Sequence, residues 1–408
     1  MATVRPFKAV RPAPEYADKI AALPYDVMNA DEAREMVKGN PLSFLHIDKA
    51  EIDLPGVDHY DPRVYAKAAE TMDAMTRGGF FIQDAAPSLY IYALTLNGRT
   101  QTGLAACASI DEYLDGTIKR HELTREDKEQ DRIRHVEALR ANTGPVFLAY
   151  RPKPEISAII GGVTSAQPPV YDFTSEDGVR HRVWVVGDGG VIARLADLFR
   201  QVPNFYIADG HHRNAAGVRA GLNMRAKNPD RSAEHNFYLV VLFPSDELMI
   251  MDYNRVVLDL NGMSAEEFLK KMDEKFIISE TDSGKPDARH KIGMYLDGKW
   301  YMLEARPEIV TDDPIDSLDV SILQNNALKP LLGIDDPRTS GRIDFIGGIR
   351  GLAELERRAG EHGVAFAMRA TSMDELFNVA DNGKIMPPKS TWFEPKLRSG
   401  LFIHKLAD

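Results

Sequence analysis

Hydrophobic positions follow two periods along this chain. From Pro62 to Arg77 they recur at the three- and four-residue spacing of a helix face, and the run stops at Gly78-Gly79, a C-terminal stop signal. Asp31 to Lys38 carries the same spacing. Leu89 to Leu96 and Thr102 to Ser109 read as strands, and Asn97-Gly98 between them predicts a β-hairpin. Ahead of these, Val4 to Arg11 alternates Val4, Phe7 and Val10 with basic residues and prolines, which suits an edge strand.

A long charged helix is expected from about Leu123 to Arg140, followed by an apolar strand, Pro145 to Tyr150. Arg151 to Gln167 carries Pro, Gly and Ser and reads as a loop or a divergent insertion. His181 to Val186 reads as a strand and Val191 to Arg200 as a helix. Phe205 to Ala208 is a further strand, running directly into Asp209-Gly210-His211-His212-Arg213 and a helix through Ala220. The polar run Arg225 to Asn236 is the best linker candidate. It divides an N-terminal region, 1–230, from a C-terminal region, 231–408, although the strand Phe237 to Phe243 after it could rejoin the same sheet. Beyond it the pattern predicts a hairpin-like Leu248 to Leu258, a helix Ser264 to Lys275, and strands at Ile292 to Leu296 and Trp300 to Leu303. A helix Ser317 to Leu332, a strand Arg342 to Ile346, a Gly-rich turn and a helix Leu352 to Arg358 follow. Mixed strands and helices predict an α/β architecture, with α+β as the alternative.

Composition narrows the function classes. Fifty Lys and Arg against 61 Asp and Glu give a formal charge of −11, which disfavours general binding to duplex DNA. It leaves room for a small anionic ligand held by a few concentrated cations. No apolar run is long enough to span a bilayer, and the N-terminal stretch lacks the apolar core of a secretory signal, so a cytoplasmic protein is expected. The single cysteine, Cys107, cannot form an internal disulfide and lies in an Ala-rich strand, as a small buried hydrophobe would.

The sharpest chemical signal is Tyr206-Ile207-Ala208-Asp209-Gly210-His211-His212-Arg213. A strand stops at a glycine, and the helix that follows presents free backbone N–H groups beside two imidazoles and a guanidinium. That combination holds phosphate or carboxylate. A plainer reading has Asp209 capping the helix and both histidines as turn residues.

A second segment is Lys119-Arg120-His121-Glu122, with Lys128, Arg132 and His135 on one face of the helix after it. That face could bind anions while Glu122 takes or gives a proton. Alternatively it is a solvated face laced with ion pairs.

The third runs from Met386 to Gly400. Lys389-Ser390-Thr391 follows two prolines, which lack the N–H groups of a phosphate cradle, so it is not a P-loop. An extended segment could lay Lys389, Lys396 and Arg398 beside a polyanion with Trp392 or Phe393 stacked on a base. It could equally be a tail packing its aromatics on the core. Phe345 to Gly351 is a weaker strand-glycine-helix candidate with one arginine, Arg350. His211 and His212 are adjacent and point different ways on a helix, unlike a zinc pair at i,i+4. A Mg²⁺ held by one or two carboxylates and a phosphate could use Asp209 or Glu122.

Taken together, Lys119 to Glu122 with Lys128-Glu129-x-Asp131-Arg132, Tyr206 to Arg213 and Met386 to Leu401 resemble the bacterial and archaeal family called domain of unknown function 1015. Arg5 to Ala9, Pro24-Tyr25-Asp26-Val27 and Asn40-Pro41-x-Ser43-Phe44-Leu45-His46 fit the same pattern, so the resemblance covers nearly the whole chain. More distantly, Asp209 to Arg213 looks like the phosphate-binding loop of the ParB/sulfiredoxin superfamily, whose members include nucleotide-dependent kinases of free serine. His211 stands where sulfiredoxin has its catalytic cysteine, so sulfiredoxin chemistry is not expected.

The resemblance implies a mixed-sheet phosphate-binding core and a phosphotransferase acting on a small hydroxylated metabolite, serine being the first to try. Gly210, His211, His212 and Arg213 would hold phosphates, with Lys119, Arg120, Lys389, Ser390 and Thr391 on outer phosphates. Glu122 would accept the hydroxyl proton, with His211 and His212 in the catalytic set. Asp209 would bind Mg²⁺ or orient the acceptor. The donor would be ATP, ADP or pyrophosphate. The alternatives are a phosphatase for a monoester such as phosphoserine, and a non-enzymatic nucleotide-binding or DNA-associated protein.

Overall fold

The computed structural model describes residues 2–407, which divide into two compact units. The first comprises the chain up to Leu248 and the segment from Pro395 onward; the second is Met249–Glu394. The division expected at 230/231 falls inside the first unit. The strand after the polar run pairs along its length with strands that precede it, which is the rejoining that the sequence left open.

In the first unit a short antiparallel pair, β1 (Val10–Pro12) and β2 (Phe81–Gln83), stands apart from a larger sheet. That sheet holds β3 (Leu89–Leu96), β4 (Arg99–Ser109), β5 (Ile118–Lys119), β6 (Val146–Tyr150), β7 (Tyr171–Thr174), β8 (Arg180–Val186), β9 (Phe205–Asp209) and β10 (Phe237–Pro244). Their spatial order is β5-β9-β6-β10-β4-β3-β8-β7. The β5–β9 and β10–β6 pairs are parallel and the others antiparallel, so the sheet is mixed. The β3–β4 hairpin turns at Asn97-Gly98, both with positive φ, as its sequence predicts.

The longer helices of this unit are α1 (Ala30–Met36), α2 (Pro62–Arg77), α3 (Glu126–Leu139), α4 (Pro154–Ala166), α5 (Gly189–Phe199) and α6 (His211–Arg225). One core packs Ile156, Ile160, Leu195 and Phe199 against sheet residues such as Leu104, Leu148 and Val240. A second core gathers Phe44, Leu45, Ile47, Val64, Ala68 and Met72 with Ile403. Helix α4 replaces the loop expected over 151–167. Pro154 sits at its first turn, where proline is favoured, and only Ile156 and Ile160 are buried, so tertiary packing outweighs a thin local pattern.

The second unit is a six-stranded sheet of β11 (Tyr253–Val257), β12 (Phe276–Thr281), β13 (Lys291–Leu296), β14 (Lys299–Ala305), β15 (Ile343–Gly347) and β16 (Val364–Ala367), ordered β12-β14-β13-β16-β11-β15 and antiparallel throughout. With it go α7 (Ala265–Asp273), α8 (Leu352–Ala359) and α9 (Met373–Asp381). The hairpin expected over 248–258 does not form. Met249–Met251 pairs with Trp392–Glu394, whereas β11 pairs with β15 and β16. The helix expected over 317–332 is shorter, an α-turn Asp319–Leu323 passing into π geometry at Gln324–Leu328.

Sheets flanked by helices make this an α/β protein. Among the described residues no helix is long and apolar enough to cross a membrane.

Candidate active site

Strand β9 is buried up to its last residue and delivers the chain to Gly210, which adopts φ 83°, ψ 33°, in the left-handed region that favours glycine. Helix α6 begins immediately, and no side chain caps it. The Asp209 carboxylate accepts the Gly210 N–H at 2.8 Å and the Lys396 ammonium at 2.8 Å, so the plainer reading of Asp209 as the helix cap does not hold. His211, His212 and Arg213 therefore stand in an uncapped first turn, at the positive end of the helix dipole.

The 119–122 segment is carried to the same place. Strand β5 runs parallel to β9 with Lys119 opposite Tyr206, so Arg120 to Glu122 pass beside the first turn of α6. His121 meets His211 edge to face with ring centroids 4.6 Å apart, and the Glu122 carboxylate lies 3.5 Å from His211 Nδ1. His211 Nε2 is buried with no hydrogen-bond partner, and His212 Nε2 accepts the Arg125 backbone N–H at 3.1 Å.

Burial pushes His121 down to about 4. It also pushes His211 well below the ordinary imidazole value, with His121, His212 and Arg120 adding to the effect. Burial thus favours the neutral form of both rings, which offers hydrogen-bonding nitrogens in place of charge.

Arg213 is held from behind. It donates to the Asp48 carboxylate at 2.6 Å and to Ser399 Oγ at 2.9 Å. Gly144 leaves the room it needs, since a Cβ there would stand 2.7 Å from the guanidinium carbon. Asp48 is fully buried and also accepts from Thr143 Oγ1 at 3.3 Å. Arg132 lies 3.8 Å from it and donates to the Asp48 backbone carbonyl at 3.1 Å, while His135 lies 3.9 Å away. Burial alone would raise the Asp48 carboxyl, but Arg213, His135 and Arg132 overcome it and hold it well below the usual carboxylate range.

Arg132 also pairs with Asp131 at 2.8 Å, and Asp131 accepts from Tyr65 at 2.9 Å. Both guanidiniums stack on Tyr25, 4.1 Å from the ring centroid for Arg132 and 5.0 Å for Arg213. Of the face offered as a solvated alternative, Arg132 and His135 are buried, as is Asp131 beside them.

Two cavities open here. A small one touches Asp26, Asp209, Gly210, Arg213 and Ser399. A neighbouring cavity of about 530 Å³ presents Lys49, His59, Lys128 and Arg132 together with Asp26 and Glu51, so it carries both signs of charge. The Asp209 oxygens, where the sequence reading places a Mg²⁺ or the acceptor, are engaged by the Lys396 ammonium and the Gly210 N–H.

Sequence reasoning missed Asp48 and Ser399 as site residues. The one signal near Asp48 was the Asn40 to His46 motif just before it. Lys389, Ser390 and Thr391 belong to the second unit. There Ser390 is buried, its hydroxyl donating to the Pro387 carbonyl at 2.7 Å and its own carbonyl accepting from Thr371 at 2.8 Å. The weaker glycine turn also lies there, with the Gly348 N–H donating to the Asp252 carbonyl at 2.8 Å.

Three comparisons bear on relationship. No curated protein matches the chain. Among solved structures, a free serine kinase in complex with AMP is 15% identical, aligned over 73% of this chain and 91% of that one with a TM-score of 0.35. SbnI with a C-terminal truncation, from Staphylococcus aureus, is 12% identical over 74% and 87%, with a TM-score of 0.37. A conserved hypothetical protein from Pyrococcus furiosus is 13% identical over 74% and 95%, with a TM-score of 0.36. The model of the family described as "Protein of unknown function (DUF1015)" matches residues 4–321, most of the chain, and the protein belongs to that family.

Proposed function

We propose that the protein is a phosphotransferase that binds nucleotide phosphates at the first turn of α6 and moves a phosphoryl group to the hydroxyl of a small metabolite, free serine being the first to test. The observation that carries this reading is the meeting of Glu122 with His211 beside an uncapped, glycine-led helix start. Phosphoryl transfer needs positioning and charge stabilisation more than covalent chemistry. In this reading the N–H groups of 211 to 213 and the outward part of the Arg213 guanidinium hold the phosphates, and the Asp48 and Ser399 contacts fix that guanidinium in place. Lys119 and Arg120 would contact the outer phosphates.

The acceptor hydroxyl attacks phosphorus as the bond to the nucleotide leaving group breaks, and its proton passes to Glu122, directly or through neutral His211. The cavity carrying Lys128, Arg132, Asp26 and Glu51 offers opposite charges to a zwitterion such as an amino acid. A magnesium ion, if the donor brings one, rides on the phosphates rather than on Asp209.

The test is incubation with ATP, ADP or pyrophosphate and a panel of amino acids, followed by ³¹P NMR, with phosphoserine and water in a separate arm. Phosphoserine formed from a donor supports the kinase. Inorganic phosphate released from phosphoserine alone points to a phosphatase on the same site. No phosphoryl movement in either arm overturns both.

A further inference from the structure

Four arginines are buried among the described residues: Arg11, Arg132, Arg255 and Arg398. Three of them sit on a carboxylate, Arg11 on Asp84, Arg132 on Asp131 and Arg398 on Asp177. Arg255, on β11 of the second unit, is only 4% exposed and has no carboxylate of the described residues within ion-pair distance. Its hydrogen bonds go to neutral acceptors, the Tyr253 carbonyl and the Lys389 carbonyl, the latter at 3.0 Å. Phe345 and Phe366 flank it in register on β15 and β16. An uncompensated buried charge is costly, and a chain keeps one where something else completes it. Burial pulls this guanidinium down to about 10, while Arg11 and Arg132 are held above their ordinary value.

Lys389 is the second observation. It is exposed, it adopts a left-handed φ of 58° that a non-glycine residue rarely takes, and that conformation hands its carbonyl to Arg255. Its ammonium lies 5.5 Å from the centroid of the Tyr253 ring, and it too forms no ion pair with a described carboxylate. Asp252, close by in sequence, is bonded to the Asn254 amide. Arg255 thus bonds the Tyr253 carbonyl and Lys389 lies over the Tyr253 ring, and neither has an ion-pair partner among the described residues.

We propose that Arg255 and Lys389 form an anion site on the second unit, taking a dianionic phosphoryl group with Arg255 at its base and Lys389 at its open rim. The charge count selects the ligand: a phosphate monoester carries about −1.5 to −2 at pH 7, against −1 for a carboxylate. The site does not depend on the phosphotransferase reading of the first unit.

The test uses the full chain and reads Lys389 alone, by its rate of acetylation with acetic anhydride resolved by peptide mass spectrometry. Inorganic phosphate at millimolar concentration is compared with acetate and chloride at equal ionic strength. Phosphate is expected to slow modification of Lys389 several-fold, acetate and chloride not, and Arg255→Met to abolish the protection. The melting temperature of Arg255→Met in chloride is expected to stay level or rise, since a buried charge without an acid is removed. Equal labelling with and without phosphate, equal protection by acetate, or protection that survives in Arg255→Met overturns the site. Should Arg255→Met fail to fold, Arg255→Lys is read in its place. It keeps the charge but not the fork, and protection undiminished in it also overturns the site.

Discussion

Asp48 and Arg213 are 165 residues apart in sequence and joined by a 2.6 Å hydrogen bond from a partly exposed guanidinium to a fully buried carboxylate. Asp48 has Arg132 close by as well, so removing its charge strands two cations at once. Asp48→Asn is expected to cost about 3–5 kcal/mol, the range for breaking a buried pair. Urea unfolding of the single variant and of Asp48→Asn with Arg213→Met measures it, and the second change is expected to recover part of the loss.

Glu122 is half-exposed, so its role separates cleanly from stability. Glu122→Gln is expected to lower phosphoryl transfer to the best acceptor by about 10²–10⁴-fold, the usual worth of a general base, with unfolding free energy changed by about 1 kcal/mol or less. An unchanged turnover number would remove Glu122 from the mechanism.

Acid sensitivity should come from histidines before carboxylates. Burial, the leading cause in each, pulls His121 and His135 down to about 4 and His181 to about 3. Between about pH 6.5 and pH 4 the unfolded chain therefore binds protons that the folded chain refuses. Stability falls as pH falls through this window, by up to about 1.4 kcal/mol per unit for each histidine, and levels off as the folded values are passed. Asp48 is shifted the other way. Its contribution is intact above the unfolded carboxylate value and lost only at more acid pH. Urea midpoints at half-unit steps from pH 7.5 to 4.0 check the order.

Gly210→Ala tests backbone against space. A Cβ there would lie 3.7 Å from Val146 Cα, an ordinary contact, so the cost is that of holding alanine at φ 83°, about 1–2 kcal/mol. Gly221→Ala, further along the same helix, would put a Cβ 2.4 Å from the His235 carbonyl oxygen and is expected to be the worse of the two. Thermal unfolding of both variants, with phosphate-binding measurements on Gly210→Ala, distinguishes a strained loop from a broken core.

Local signals survived folding where they were self-sufficient. The Asn97-Gly98 hairpin, the helix that stops at Gly78 and the strand-glycine-helix passage at Gly210 each depend on a few adjacent residues, and each is found. The approach of Glu122 to His211 could be guessed only as two charged segments; its cause is the parallel β5–β9 pairing, which no local period encodes. Arg132 and His135 looked like a wet face because burial of charge depends on partners far away, here Asp48 and Tyr25. The two-unit division failed at 230/231 because polarity marks loops as readily as boundaries, and the real crossings, at 248/249 and 394/395, fall beside short paired strands.

Those crossings have a temporal meaning. Lys396 and Ser399, which engage Asp209 and Arg213, follow the whole of the second unit in sequence. A ribosome making this chain must emit all of Met249–Glu394 before the first unit can be finished, so the turn at Gly210 is among the last parts of the molecule to gain all its contacts. A chain interrupted before residue 395 would keep Asp209 and Arg213 yet lack Lys396 and Ser399, leaving Arg213 to Asp48 alone.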